Sequence, residues 1–263
     1  MRKRKKYQIK RKKSLLKNRI FWTTLLIVSF FGSLCYLVVF SPVFQINALV
    51  ILGNERLTSQ EIQQAIWPKI ENEKQILGFK TKSIFLAEIK SLKSQLLEQF
   101  LLIDELKIKK ILPKSLVLEI KERKTLGVWC WENNCFNFDK KGIIFENQTT
   151  MPENALTINS KQPTTEISLG KKAIDEKTLS AIVLIQQTMA EKAKITANDF
   201  TSFENDGRLN AKTTENWEAY FDLKGDVNWQ LVRLELLLDK TLPLEKRQGL
   251  EYIDLRFSKI FYK

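Results

Sequence analysis

The chain has 263 residues, 43 of them basic and 30 acidic, with 44% apolar residues and no His. Without His, Ser-His and Cys-His nucleophile pairs, imidazole acid–base catalysis and His metal ligation are excluded. The nine Gly are scattered, with no GxGxxG or GxxxxGK phosphate loop, so neither metal nor cofactor is expected. Paired carboxylates are the common catalytic option left. Acids such as Glu119, Glu122, Asp139 and Asp254 fall at expected strand ends or turns, where a solvated surface role is the ordinary one.

Residues 1–19 form a basic tail: eleven Lys and Arg lie between Arg2 and Arg19, with no acid among them. Removing those eleven from 43 leaves 32 basic residues against 30 acidic. The charge therefore belongs to a tail and not to a folded face, and nucleic acid is not an expected partner. Contact with anionic lipid headgroups is. Residues 20–40 carry no charge. As a helix, at about 1.5 Å per residue, they extend roughly 31 Å, against a hydrocarbon core of about 30 Å. Ser41-Pro42 stops the run. The positive flank predicts a cytoplasmic N-terminus, with Val43 to Lys263 beyond the membrane. A cleaved signal peptide would have an apolar region of about 7–15 residues and a small-residue cleavage site. This run is longer, and Val43-Phe44-Gln45-Ile46 is a poor site, so a retained single-pass anchor is expected. Cys35, inside the run, reads as a small apolar side chain.

Beyond the anchor, the chain is long enough for one large domain or two ordinary ones. Phe44 to Leu52 reads as a strand closed by the turn pair Gly53-Asn54. Thr58-x-x-Glu61 is a capping box opening a helix through Ile62, Ala65 and Ile66, which Pro68 is expected to end. Residues 71–82 are polar and loop-like. Thr81 or Ser83 is expected to cap a second helix carrying Ile84, Phe85, Leu86, Ile89, Leu92, Leu96 and Leu97. Ile103 to Ile111 reads as a strand, Pro113 breaks it, and Leu116, Leu118 and Ile120 alternate up to Glu122-Arg123. The order β-α-α-β-β predicts one α+β unit over 43–123.

The segment 124–263 reads as a mixed β domain with flanking helices. Val128 to Phe136 and Phe138 to Phe145 predict strand pairs. Cys130 and Cys135 flank Trp131-Glu132-Asn133-Asn134, whose Asn pair reads as a hairpin turn. The two Cys then face each other, as free thiols or as a structural disulfide. Residues 147–166 read as loop. Asp175 or Thr178 starts a helix through Leu179, Ile182, Leu184, Ile185 and Met189. Phe200–Phe203, Arg208–Ala211 and Trp217–Leu223 predict a meander turning at Asn205-Asp206-Gly207. Asp226 or Asn228 caps a helix through Leu231, Leu234, Leu237 and Leu238. Tyr252 to Tyr262 reads as one closing strand. At a sheet edge it accepts a partner's strand, unless Arg256, Lys259 and Lys263 blunt it.

An ordered set of these features resembles the FtsQ/DivIB family of bacterial cell-division proteins. The set is the post-anchor strand ending in Gly53-Asn54, LTxxEI from Leu57, SIFL from Ser83, and ILPxSLVLEIKER from Ile111. It continues with Trp129, the FDKKGIIF run from Phe138, and Ile253-Asp254-Leu255-Arg256-Phe257. Lys124-Thr125 departs from the family, which usually has Pro there. The resemblance implies a POTRA domain followed by a β domain. It implies a non-catalytic scaffold of the division complex at the septum, on the plasma (inner) membrane. Its expected partners are small single-span proteins of the FtsB/DivIC and FtsL type, along with other divisome membrane proteins. It favours the binding reading of the closing strand, with Phe257 the first contact and Tyr252, Ser258, Lys259, Ile260, Phe261 and Tyr262 completing the surface. Two other classes compete. A POTRA-bearing secretion or outer-membrane assembly factor would usually show repeated POTRA units or a β-barrel. A membrane-tethered cell-wall enzyme would turn over peptidoglycan.

Overall fold

The computed structural model describes residues 19–72, 75–76, 79–148, 154–161, 163 and 167–263. The tail before Arg19 lies outside them, as do parts of the segments expected to be loops at 71–82 and 147–166. The architecture is mixed α+β, with one apolar N-terminal helix and a large mixed sheet. Two compact units are present. One takes the described residues up to Leu96 together with Leu106–Ile120, the other Leu97–Glu105 and Lys121–Lys263.

The first unit opens with α1, Arg19–Phe40, long and apolar enough to cross a membrane and nowhere buried in protein. Ser41 ends it. Its hydroxyl accepts from Val43 N at 3.3 Å and starts a short 3₁₀ turn, Pro42–Phe44. A helix end leaves carbonyls without donors, and here side chains supply them. Thr81 Oγ1 and Gln45 Nε2 donate to Val39 O at 2.6 and 2.8 Å, and Ser83 Oγ donates to Val38 O at 2.9 Å. Thr81 and Ser83 thus cap the end of α1 and not the start of a later helix, correcting the sequence expectation.

Strand β1, Ala48–Leu52, follows, then α2, Ser59–Asn72. The Thr58 capping box forms: Glu61 N donates to Thr58 Oγ1 at 3.2 Å, and Thr58 N to Glu61 Oε2 at 2.9 Å. Pro68 does not end α2, which runs on to Asn72. Ile62, Ile66 and Ile70 are all buried at four-residue spacing, and the burial of Ile70 offsets the hydrogen bond that Pro68 cannot donate. Strands β2 (Gln75–Ile76) and β3 (Phe79–Lys80) pair within the expected loop. Ile84 to Leu86 forms a turn, and α3 spans Ile89–Gln99, burying Leu92 and Leu96. Strands β4, Ile103–Ile111, and β5, Ser115–Glu122, complete a sheet of order β1-β5-β4, with β1 and β5 parallel. Leu116, Leu118 and Ile120 alternate into the core as their period-two spacing requires.

In the second unit the strands are β6 (Gly127–Trp131), β7 (Asn134–Phe138), β8 (Ile144–Asn147), β9 (Thr157–Ser160), β10 (Ala197–Phe203), β11 (Arg208–Thr213), β12 (Glu218–Asp222), β13 (Tyr252–Asp254) and β14 (Phe261–Tyr262). Their order across the sheet is β14-β13-β12-β11-β10-β9-β6-β7-β8. Strand β9, inside a segment expected to be loop, runs parallel to both β6 and β10 and so joins two antiparallel meanders. Cys130 and Cys135 face each other across β6 and β7 and are joined as a disulfide. Helices α4, Glu176–Thr188, and α5, Val227–Lys240, are capped by Asp175 and Asp226, which accept from Thr178 N and Trp229 N. Their stripes Leu179/Ile182/Ile185 and Leu231/Leu234/Leu238 join Trp129, Phe138, Ile158, Phe200, Leu209, Trp217 and Phe221 in one core. Each such side chain contributes roughly 1.5–3 kcal/mol on burial.

Two of the acids expected at the surface are buried and paired. Asp139 accepts from Lys141 N and Ile143 N, which shapes the turn that Gly142 closes at φ +76. A Cβ at Gly142 would lie 2.1 Å from Ile174 O, so no other residue fits. Arg123 pairs with Asp139 and, at 3.7 Å, with Asp104 Oδ1, the same oxygen that Lys141 Nζ holds at 2.5 Å. Asp254 is the second buried acid.

Candidate partner-binding edge

The site is built on β12. Strand β13 lies parallel to it, with Glu218, Ala219 and Tyr220 opposite Tyr252, Ile253 and Asp254. Ile253 and Leu255 are fully buried, and Leu255 N donates to Tyr220 O at 2.9 Å, so β13 is fixed to the core. The chain then turns through residues 256–260 and returns as β14, antiparallel to β13, pairing Tyr262 with Ile253 and Phe261 with Asp254. The expected single strand from Tyr252 to Tyr262 is therefore a hairpin. The buried Ile253 and Leu255 hold one arm, and the turn carries Phe257, Ser258 and Lys259 out of any ladder.

The turn is held from α5. Arg233 donates to Phe257 O and Ser258 O, both at 2.8 Å, occupying two carbonyls that the turn leaves without backbone donors. Arg256 makes a forked pair with Asp254, at 2.9 and 2.6 Å, and lies over the rings of Tyr220 and Phe257. Burial pushes the Asp254 carboxyl up, but hydrogen bonds from the Arg256 side chain and backbone outweigh it and hold the group below the usual carboxylate range.

Strand β14 ends the sheet order, and no other strand pairs with its outer side among the described residues. Lys263 N donates to Tyr252 O and Tyr252 N to Lys263 O, so these two residues exchange bonds. In an antiparallel pair, bonded and non-bonded positions alternate. Tyr262, the next residue, thus turns its N–H and C=O to the open side.

The structure brings Tyr252, Phe257, Phe261 and Tyr262 together at this end of the sheet. Tyr252 stacks on Tyr220 with ring centres 5.4 Å apart. Phe257 and Phe261 meet edge to face at 6.0 Å, and with Tyr262 each is about half exposed. Ser258 and Lys259 are exposed in the turn, with Lys259 Nζ 5.8 Å from the Phe261 ring centre. Ile260 differs: it packs against the core and anchors the return. Sequence reasoning missed Arg233, whose spacing on α5 marks only a solvent-side position, and Tyr220, which reads as an ordinary strand aromatic. Of the three charges expected to blunt the edge, Arg256 pairs with Asp254 and Lys263 with Glu251 at 2.9 Å, while Lys259 stands exposed in the turn.

No protein-family model and no curated protein matches this sequence.

Proposed function

We propose that this chain is a non-catalytic, membrane-anchored scaffold of the bacterial division complex, of the FtsQ/DivIB type. In this reading α1 is the anchor and the N-terminus is cytoplasmic. The first unit is a POTRA domain and the second a β domain that recruits small single-span partners of the FtsB/DivIC and FtsL type. The observation that carries it is the open outer side of β14. A backbone donor and acceptor at Tyr262 stand beside exposed aromatic rings, on a hairpin fixed by Ile253 and Arg233. An unpaired edge adds a partner strand through main-chain bonds, and alternate side chains supply the specificity.

The test is Tyr262→Pro in the full-length protein, with partners co-purified from the membranes of its own host. Proline removes the outward donor, and that donor takes no part in the pairing with β13. The variant should fold as the parent does and lose the small membrane partners. Unchanged recovery of those partners would place the binding surface elsewhere.

A further inference from the structure

The end of α1 is joined to the first unit by the side chains of Gln45, Thr81 and Ser83, so whatever surrounds that helix end must also meet the surface beside it. That surface can be traced by contacts. Phe44, just past the helix, packs its ring against Phe85 with centres 5.3 Å apart. Lys110 Nζ reaches Phe85 O at 3.4 Å. Asn47 N donates to Lys114 O at 3.1 Å. Because β5 starts at Ser115 opposite Ala48 and runs parallel to β1, the β4–β5 turn lies at the α1 end of the sheet. Ile111 and Leu112, at that turn, are 49% and 59% exposed, and Val43, in the turn that follows α1, and Phe85, which Lys110 contacts, are exposed too. Lys110 and Lys114 flank the group.

Resting on the reading of α1 as a membrane span, we propose that Val43, Phe85, Ile111 and Leu112 form a ledge seated in the interfacial layer of the bilayer. Lys110 and Lys114 reach its phosphate headgroups. The ledge is continuous with a helix that is apolar on all sides, and the three side-chain bonds hold it at that helix's exit. The occupant is therefore the lipid surface itself. Apolar groups sink shallowly into such an interface. Lysines extend their stems along it and keep their ammonium groups at the phosphates. The consequence is an orientation: the first unit stands on the membrane with β1 running away from it.

The experiment uses the full-length protein in nanodiscs of mixed zwitterionic and anionic phospholipid, with a fluorescent thiol label. Native Cys35 reports the span. Leu112→Cys, and Ile111→Cys as a second position, report the ledge in a Cys35→Ser background. Glu55→Cys, past the far end of β1 and roughly 17 Å away at about 3.3 Å per residue, is the control. Each is exposed to iodide in water and to phospholipid carrying a nitroxide near the headgroup. Labels at 112 and 111 should lose most of their fluorescence to the lipid nitroxide and be shielded from iodide, whereas the label at 55 should behave oppositely. Iodide access at 112 and 111 equal to that at 55, with Cys35 still quenched by lipid, would overturn the ledge and leave the span standing. A Cys35 label untouched by lipid would overturn the span and the ledge with it.

Discussion

At the scale of single residues, the pairs that matter join a charged or hydroxyl side chain to a group that burial or a helix end would otherwise leave alone. Thr58 and Glu61 satisfy each other's backbone at the start of α2. Thr58→Ala should cost about 0.5–2 kcal/mol of stability in the first unit, read as a lower melting midpoint of the full chain in detergent. Arg123 is the shared cation for Asp104 and Asp139, both nearly inaccessible. Arg123→Met takes the cation from buried Asp139 and leaves Asp104 to Lys141, and should destabilise the second unit by about 3–5 kcal/mol. Acid should act through the same kind of pair. At Asp104 burial pushes the carboxyl up, yet the Lys141 hydrogen bond and the charges of Lys141, Arg123 and Lys121 hold it low. Asp254 is held low by Arg256. A carboxyl depressed below its unfolded value of about 3.9 adds stability that is fully present above that value, and loses it as the pH falls through the depressed one. Urea melts compared at about pH 7, 5 and 3 should show the loss below about pH 4. Asp104→Asn with Asp254→Asn should be weaker at neutral pH and flatter in acid. An unchanged acid slope would refute the assignment.

Elements reveal why some of the fold is legible in the sequence and some is not. Capping residues and periodic apolar stripes announced α2, α4 and α5, and clean alternation announced β5. Strand β9 was hidden because Thr157-Ile158-Asn159-Ser160 offers one large apolar residue. Its polar neighbours are satisfied by distant partners, Asn159 by Asp199 and Ser160 by Glu204, which no local pattern encodes. Pro68 misled for the opposite reason, since a local rule was overridden by the burial of Ile70, one turn after buried Ile66. Pro68→Ala should therefore stabilise α2, by up to about 3 kcal/mol, with no change in helix bounds by hydrogen exchange. The candidate site was half legible. Its aromatic residues stand in the sequence, but the hairpin that groups them depends on Arg233, 24 residues before Phe257 in the chain. Arg233→Met should speed amide exchange in residues 256–260 while the core position Leu234 stays protected. Equal protection throughout would mean that the turn holds itself.

For the whole molecule, we propose that α1 anchors the chain and that the β14 edge of the second unit's sheet recruits the partner. A reporter active only outside the cytoplasm should be on after Lys263 and off before Arg11, because of the positive flank of α1. The recruiting edge is tested most directly by placing a photo-crosslinking phenylalanine analogue at Tyr262 in living cells of the host. A matching substitution at Glu55, in the turn after β1, serves as control. The account predicts a crosslink from position 262, and none from 55, to one small single-span membrane protein that co-purifies with the parent. If position 262 captures nothing, or captures only what position 55 captures, while the parent still co-purifies with that partner, the edge of β14 is not where the partner binds.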